Sequence, residues 1–333
     1  MRAAFLEQTG PPEVLQVGER PTPVPGTGQA LVKVSYSAVN PIDTYLRSGA
    51  VAMKLPMPFI PGCDLAGTIT ALGPGCQRFQ VGQRVWASNQ GLLGRQGTLA
   101  EFAVVDEAWL HATPDCLGDE EAAGGALVGI TAHLGLFRCA QVQAGEWVYV
   151  SGGTGGVGSM VVQMAKAIGA KVATTVGSVA KAELARQLGA DCVINYKTDK
   201  LAPALEAATG GQGLQVWYET QREPDFLTIV PAMARRGRIV VMAGRQAQPI
   251  FPVGPFYTKD LSLHGFAMFN ATAAEQQVCA AAMNDWYAAG KLRVLIGRVF
   301  PLREAPAAHR LQEENTLHKA GTLTGKILVR ISE

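Results

Sequence analysis

Excess charge of either sign is missing from this chain. It has 29 Lys and Arg against 27 Asp and Glu, a formal net charge of +2. That balance gives no support to a nucleic-acid partner. No apolar run reads as long enough to span a bilayer. The opening Met1-Arg-Ala-Ala-Phe-Leu-Glu-Gln8 is too poor in apolar residues, and too early in acid, for a signal peptide. A cytoplasmic protein without a membrane partner is expected. Closely spaced thiols are also lacking. Cys63, Cys76, Cys116, Cys139, Cys192 and Cys279 contain no Cys-x-x-Cys. That fits reduced thiols better than a disulfide framework, and it removes the usual structural zinc site. The five histidines are equally scattered, and there is no internal repeat or low-complexity segment.

What is present is a globular composition. Of 333 residues, 48% are hydrophobic and 17% charged, a length that suggests two domains. The most informative stretch is Trp147-Val-Tyr-Val-Ser-Gly-Gly-Thr-Gly-Gly-Val-Gly158. Four apolar residues read as a buried strand, a glycine-rich turn follows, and Ser159 to Ile168 carries the apolar spacing of a helix face. Within the turn, Gly153-x-Gly155-x-x-Gly158 is a dinucleotide-binding pattern when it sits between strand and helix. The first glycine permits the turn, the second lets a pyrophosphate approach, and the third lets helix and strand pack. The helix N-terminus then offers N–H groups to the phosphates. An ordinary tight turn would carry the same glycines, but the flanking strand and helix favour the cofactor.

Around this stretch the texture divides. The first half-dozen residues, then 15–17, 30–36, 65–72, 84–87 and 98–105, read as short strands separated by Gly/Pro turns, hence a barrel-like β domain. From about Glu120, Ala, Gly and apolar runs take over. Strand candidates at 147–150, 172–176, 192–195, 214–218, 238–242 and 261–265 alternate with helical segments, which predicts a parallel, doubly wound sheet. A helix from about Ala273 to Ala289 follows, and the last stretch, Arg298 to Ile331, is expected to return to the first domain. The second strand, Lys171 to Val176, runs into Gly177-Ser-Val-Ala-Lys181 with no acid for the ribose hydroxyls. That tilts the choice toward NADPH. Ser178 can cap the next helix. Lys181 falls in its first turn, where a cation opposes the macrodipole unless a phosphate is bound.

Several segments together resemble the medium-chain dehydrogenase/reductase superfamily, and within it the zinc-free quinone oxidoreductases related to zeta-crystallin. They are Ala38-Val-Asn-Pro-Ile-Asp-Thr-Tyr-Leu-Arg-Ser-Gly49, Pro61-Gly-Cys-Asp-Leu-Ala-Gly67, Gly129-Ile-Thr-Ala132, the glycine turn, Leu188-Gly-Ala-Asp-Cys-Val-Ile-Asn-Tyr196 and Thr324-Gly-Lys-Ile327. The resemblance implies an α/β protein: a GroES-like β-barrel catalytic domain over 1–122, completed by 269–333, and a Rossmann doubly wound domain over 123–268. It implies NADPH in a cleft between them, and a homodimer, sometimes a tetramer, joined through the sheet edge near Leu261 to Phe266. It places Ser178, Lys181 and Tyr196 around the adenosine 2′-phosphate, and Asn40, Asp43 and Tyr45 at the nicotinamide and substrate. Tyr45 would donate a hydrogen bond or proton to a developing oxyanion. Asp43 as a turn cap and Tyr45 as a packed ring are the plainer alternatives, with Arg47 pairing Asp43. Thr131 is expected near the nicotinamide or simply inside a helix. Gly156 and Val157 should approach the pyrophosphate, Gly244 and Arg245 end the fifth strand at the ligand edge, and Phe269 could cover the nicotinamide. Lys326 could reach the cofactor or lie solvated. His264 reads as a packed or interface residue rather than a ligand, and Trp217 and Tyr218 read as core. Glu219-Thr-Gln-Arg-Glu-Pro224 is more polar than is usual for the family there.

Zinc alcohol dehydrogenases of the superfamily use Cys, His and a distant Cys around their metal. The matching places here are Asn40, Cys63 and a stretch near Gly125 to Ile130 without Cys, so no metal is expected. Without a Lewis acid, electron-poor acceptors such as quinones or α,β-unsaturated carbonyls suit the site better than plain alcohols. The expected activity is NADPH-dependent hydride transfer to a quinone, with 2-alkenal or enone reduction as the alternative. A non-enzymatic NADPH- or RNA-binding role, as in a crystallin, gains little from the near-neutral charge.

Overall fold

Apolar strands alternating with helices after residue 146 build a six-stranded parallel sheet. Its spatial order is Cys192–Asn195, Lys171–Val176, Trp147–Val150, Leu214–Glu219, Met233–Val241 and Ser262–Gly265. Numbered in chain order this is 3-2-1-4-5-6, the doubly wound Rossmann arrangement. Strand order therefore reverses between Trp147–Val150 and Leu214–Glu219, and ligands of such sheets bind at the carboxyl ends there. One face of the sheet is filled by Tyr149, Ala173, Ile194, Trp217 and Ile239, with the Tyr149 and Trp217 rings 4.1 Å apart.

The computed structural model describes residues 1–332. The chain forms two units, Val128–Asn270 around this sheet, and Met1–Leu127 joined by the chain from Ala271 onward. The first unit holds a seven-stranded sheet and a two-stranded hairpin, Arg2–Phe5 with Gln16–Glu19. Its central strand, Gln29–Val39, pairs antiparallel with Asp64–Leu72, Phe102–Asp106 and Lys326–Arg330. The C-terminal stretch thus returns to the first unit, setting Ile327 opposite Val39. Phe5, Val32, Leu65, Leu99, Phe300 and Val329 share its core. Two strands, Leu110–Ala112 and Ile296–Pro301, lie outside the sequence expectation. The first is only three residues, and the second is broken by Gly297, whose neighbour forms a register irregularity.

Two further differences bear on function. Pro41–Ser48 is a helix, although its few apolar residues hide it. It starts with Pro at its first position, carries Asp43 reaching back to Asn40, and ends on Gly49 at φ 78°, the usual start and stop signals. The second difference is a correction. The helical run Asp119–Cys139 is, among the described residues, one 21-residue helix long and apolar enough to cross a membrane by length and composition. Its window is 78% buried inside the structure, as expected of an Ala- and Gly-rich core helix.

Candidate active site

The glycine turn closes in the expected place, with the work divided differently among its glycines. The left-handed residue is Gly152, at φ 69°, rather than Gly153. At Gly153 a Cβ would fall 2.8 Å from Thr174 Cγ2, and at Gly158 it would fall 2.9 Å from the Gly152 carbonyl carbon. Real side chains do not tolerate such approaches. Gly155 caps the helix Gly156–Ala167, so the helix begins three residues earlier than its apolar pattern suggests. Gly156 and Val157 therefore form its first turn, where N–H groups lack intrahelical partners.

At the end of the second strand, Ser178 caps Val179–Gln187, its Oγ accepting the Lys181 N–H at 3.3 Å. The Tyr196 phenol leans over Gly177, where a Cβ would meet its ring carbon Cζ at 2.7 Å. Ser178, Lys181 and Tyr196 are thereby brought into one neighbourhood, and the Tyr196 ring is 63% exposed.

The polar segment after the fourth strand is tied to the turn. Ser151 donates to Glu219 Oε1 at 2.5 Å, Trp217 Nε1 donates to Oε2 at 3.0 Å, and Thr220 donates to the Ser151 carbonyl at 2.8 Å. Glu219 thus joins the two strands that flank the switch point. The sequence shows the polarity of this segment but not this role; an acid ending an apolar strand, with a Ser at the matching end of the first strand, is the signal it offers. Gly244 takes φ 88° after the fifth strand, beside the Arg222 carbonyl, and Arg245 is exposed. Phe269 is half-buried in the turn Met268–Asn270. Thr131 lies inside the helix Asp119–His133, its carbonyl accepting the Tyr218 hydroxyl at 2.7 Å. Trp217 and Tyr218 are core, as expected. His264 is half-buried, its Nε2 3.2 Å from Ser262 Oγ.

In the first unit the helix Pro41–Ser48 begins in a buried polar cluster. Lys326 donates to Asn40 Oδ1 at 2.5 Å and to the Val39 carbonyl at 3.0 Å. Asn40 Nδ2 donates to Asp64 Oδ2 at 2.8 Å and more distantly to the Ala38 carbonyl at 3.4 Å. Ser88 Oγ donates to Asp64 Oδ1 at 2.7 Å. Asp43 Oδ2 accepts the Asn40 backbone N–H at 2.8 Å, while Oδ1 is buried without a nitrogen or oxygen partner, beside the Cys63 thiol. Asn40, Asp43, Cys63 and Asp64 are all at most 1% exposed, and Lys326 is 5% exposed.

Three expectations change here. Lys326 is not solvated but sealed in this cluster. Arg47 does not pair with Asp43; it binds Glu313 and donates to the Gly10 carbonyl at 2.7 Å. The Asn40 amide is occupied on both sides by Lys326, Asp64 and Ala38, so it has no idle N–H for an acceptor oxygen. Asp64 and Ser88 belong to the cluster but are not marked by local spacing, since Asp64 lies 24 residues from both Asn40 and Ser88. Tyr45 follows on the same helix, half-buried.

Burial dominates the titration of this cluster. It raises the Asp64 carboxyl from 3.8 to about 7 and the Asp43 carboxyl to about 6. It also pushes the Cys63 thiol well up and the Lys326 ammonium down. Between about pH 4 and 7 the folded state keeps a proton on Asp64 that the unfolded chain has lost, so this group's stabilising contribution falls as pH rises. A shift of one pKa unit is worth about 1.4 kcal/mol. Asp64→Asn cannot titrate. The wild type's stability relative to that variant should therefore drop by about 2–4 kcal/mol between pH 4.5 and 7.5 in urea unfolding. Parallel stability curves would contradict the assignment.

A Rossmann sheet with a glycine turn at its switch point, in a chain whose other unit carries a buried acid-and-ammonium cluster, defines the class of two-domain dinucleotide-binding oxidoreductases. Family models agree. An alcohol dehydrogenase GroES-like domain matches residues 26–115, and a zinc-binding dehydrogenase model matches residues 156–285. Pig (Sus scrofa) quinone oxidoreductase is 32% identical over 330 residues, covering 99% of this chain and 97% of its own. Among solved structures, an NAD-dependent alcohol dehydrogenase superposes with TM-score 0.90 at 30% identity, covering all of both chains. Escherichia coli quinone oxidoreductase complexed with NADPH gives 0.84 at 26%, covering 99% of this chain and all of the other. A 2-haloacrylate reductase gives 0.83 at 28%, again over all of both chains. The chain belongs to the quinone oxidoreductase family of the medium-chain dehydrogenase/reductase superfamily. Its fold is that of the family, a GroES-like domain with a Rossmann domain.

Proposed function

We propose that this protein is an NADPH-dependent oxidoreductase that delivers hydride to a quinone without a metal. The observation that carries the cofactor assignment is the neighbourhood of Ser178, Lys181 and Tyr196 at the acid-free end of the second strand. A cation, a hydroxyl and a phenol there fit a 2′-phosphate better than a bare ribose. Gly153, Gly155, Gly156, Val157 and Gly158 leave room and N–H groups for the pyrophosphate. Gly244, Arg245 and Phe269 follow the fifth and sixth strands, toward the ligand edge of the sheet. NADPH, when bound, supplies the hydride. Tyr45 orients the acceptor and gives a hydrogen bond or proton to its oxygen. Asp43 keeps one buried carboxylate oxygen without a nitrogen or oxygen partner on the same helix. A catalytic metal finds a poor donor set here. Asn40 is saturated, Cys63 is held as a thiol by burial and two carboxylates, and among the described residues no group of three His, Cys, Asp or Glu is placed to hold an ion.

The likeness to a 2-haloacrylate reductase favours a second reading, reduction of an activated carbon–carbon double bond by the same residues. Steady-state NADPH oxidation with an ortho-quinone and with a short 2-alkenal separates the two. A kcat/KM for the quinone at least tenfold above that for the alkenal supports the first reading, and the reverse ratio supports the second. NADPH binding without turnover of either acceptor would move the protein to a non-enzymatic role.

Ser262–Gly265 forms one edge of the sheet, with Leu263 39% exposed. An uncovered edge strand of this kind invites pairing with a second copy. Sedimentation equilibrium should give twice the 35.2 kDa chain mass, falling to the single mass in Leu263→Pro, which blocks edge pairing. A monomeric wild type would refute the dimer.

A further inference from the structure

We infer that Lys326 is a positioning residue for the reaction, its buried ammonium fixing the Asn40 side chain and the start of the Tyr45-bearing helix. The inference rests on the hydride-transfer reading above and assigns Lys326 a role other than cofactor contact. The side chain comes from the return strand Lys326–Arg330 and donates to Asn40 Oδ1 at 2.5 Å and to the Val39 carbonyl at 3.0 Å. An ammonium can only donate, so the amide must turn its oxygen to Lys326 and its nitrogen to Asp64. The two contacts hold consecutive residues, Val39 and Asn40, where the strand Gln29–Val39 passes into the helix Pro41–Ser48. Tyr45 lies one turn further along.

Stability alone does not account for this arrangement. A cation at a helix N-terminus opposes the macrodipole. Burying an ammonium with carboxylates is often no better than well-packed apolar residues of similar size. Asp43 and Asp64 offset those costs, so three ionisable groups are sealed together where a methionine or leucine would pack. What the ammonium adds is direction, through two short bonds to one junction.

The test compares Lys326→Met, Asp64→Asn and the double variant for NADPH affinity, melting temperature, and kcat and KM with the ortho-quinone. Lys326→Met should lower kcat by about thirtyfold, leaving the quinone KM and the NADPH Kd within about twofold, because the glycine turn belongs to the other unit. The double variant removes the unpaired buried carboxylate and should melt within a few degrees of Asp64→Asn, yet turn over at least tenfold more slowly. If Lys326→Met does not fold, the double variant carries the comparison. Turnover equal to that of Asp64→Asn at equal melting temperature would make Lys326 merely structural. A tenfold rise in NADPH Kd with kcat unchanged would make it a cofactor contact. Either overturns the inference. Silence of the wild type with every acceptor would instead remove the functional reading on which it rests.

Discussion

Gly158→Ala is expected to remove NADPH-supported turnover at ordinary cofactor concentrations. A Cβ at this position would lie 2.9 Å from the Gly152 carbonyl carbon and 3.2 Å from Gly153 Cα. Those atoms belong to the turn itself, so they cannot move aside as a side-chain end would. Relief has to come from displacing the turn relative to the helix Gly156–Ala167, which also displaces its N–H groups. Overpacking of this kind costs up to about 3 kcal/mol, and a loss of that size in binding is about a hundredfold in Kd. A fluorescence titration with NADPH checks this, with Gly118→Ala as control because a Cβ there meets nothing within 4 Å. Equal affinities for the two variants would show that the turn does not hold the pyrophosphate.

Lys181→Glu is expected to reverse the cofactor preference. Lys181 lies in the first turn of Val179–Gln187, three residues after the Ser178 cap. A cation there opposes the helix dipole, and a 2′-phosphate would turn that local cost into a charge-assisted contact. Hydrogen bonds to charged groups are worth roughly 1.5–3 kcal/mol, and the introduced carboxylate adds repulsion. The variant should lose about a hundredfold in kcat/KM with NADPH. With NADH, which has no phosphate at that position, it should stay within about threefold. An equal loss with both nucleotides would take Lys181 out of the phosphate site.

Much of this was legible in the sequence, because the informative signals were local. Four apolar residues before a glycine turn identify the first sheet strand, and six such strands alternating with helices set a parallel sheet. The missing acid after Val176 is likewise a one-position observation. The polar cluster was only half legible. Asn40 and Asp43 could be singled out by their place in a family motif, but their partners lie on remote strands. Lys326 reaches Asn40 across 286 positions of chain, and nothing about a lysine in Gly-Lys-Ile signals burial. Arg47 misled for the same reason: the nearest acid in sequence is Asp43, whereas the fold brings up Glu313 from a C-terminal helix. The turn glycines show a finer limit. Spacing marks Gly153, Gly155 and Gly158, but the left-handed residue is Gly152, which only the backbone reveals.

The most direct test of the account is the oxidation of NADPH, against NADH, with an ortho-quinone by protein from which metal has been stripped with a chelator. Metal-free hydride transfer from NADPH predicts undiminished turnover after chelation and a kcat/KM for NADPH at least tenfold above that for NADH. Turnover that disappears with the metal and returns with added zinc, or a preference for NADH, would contradict it.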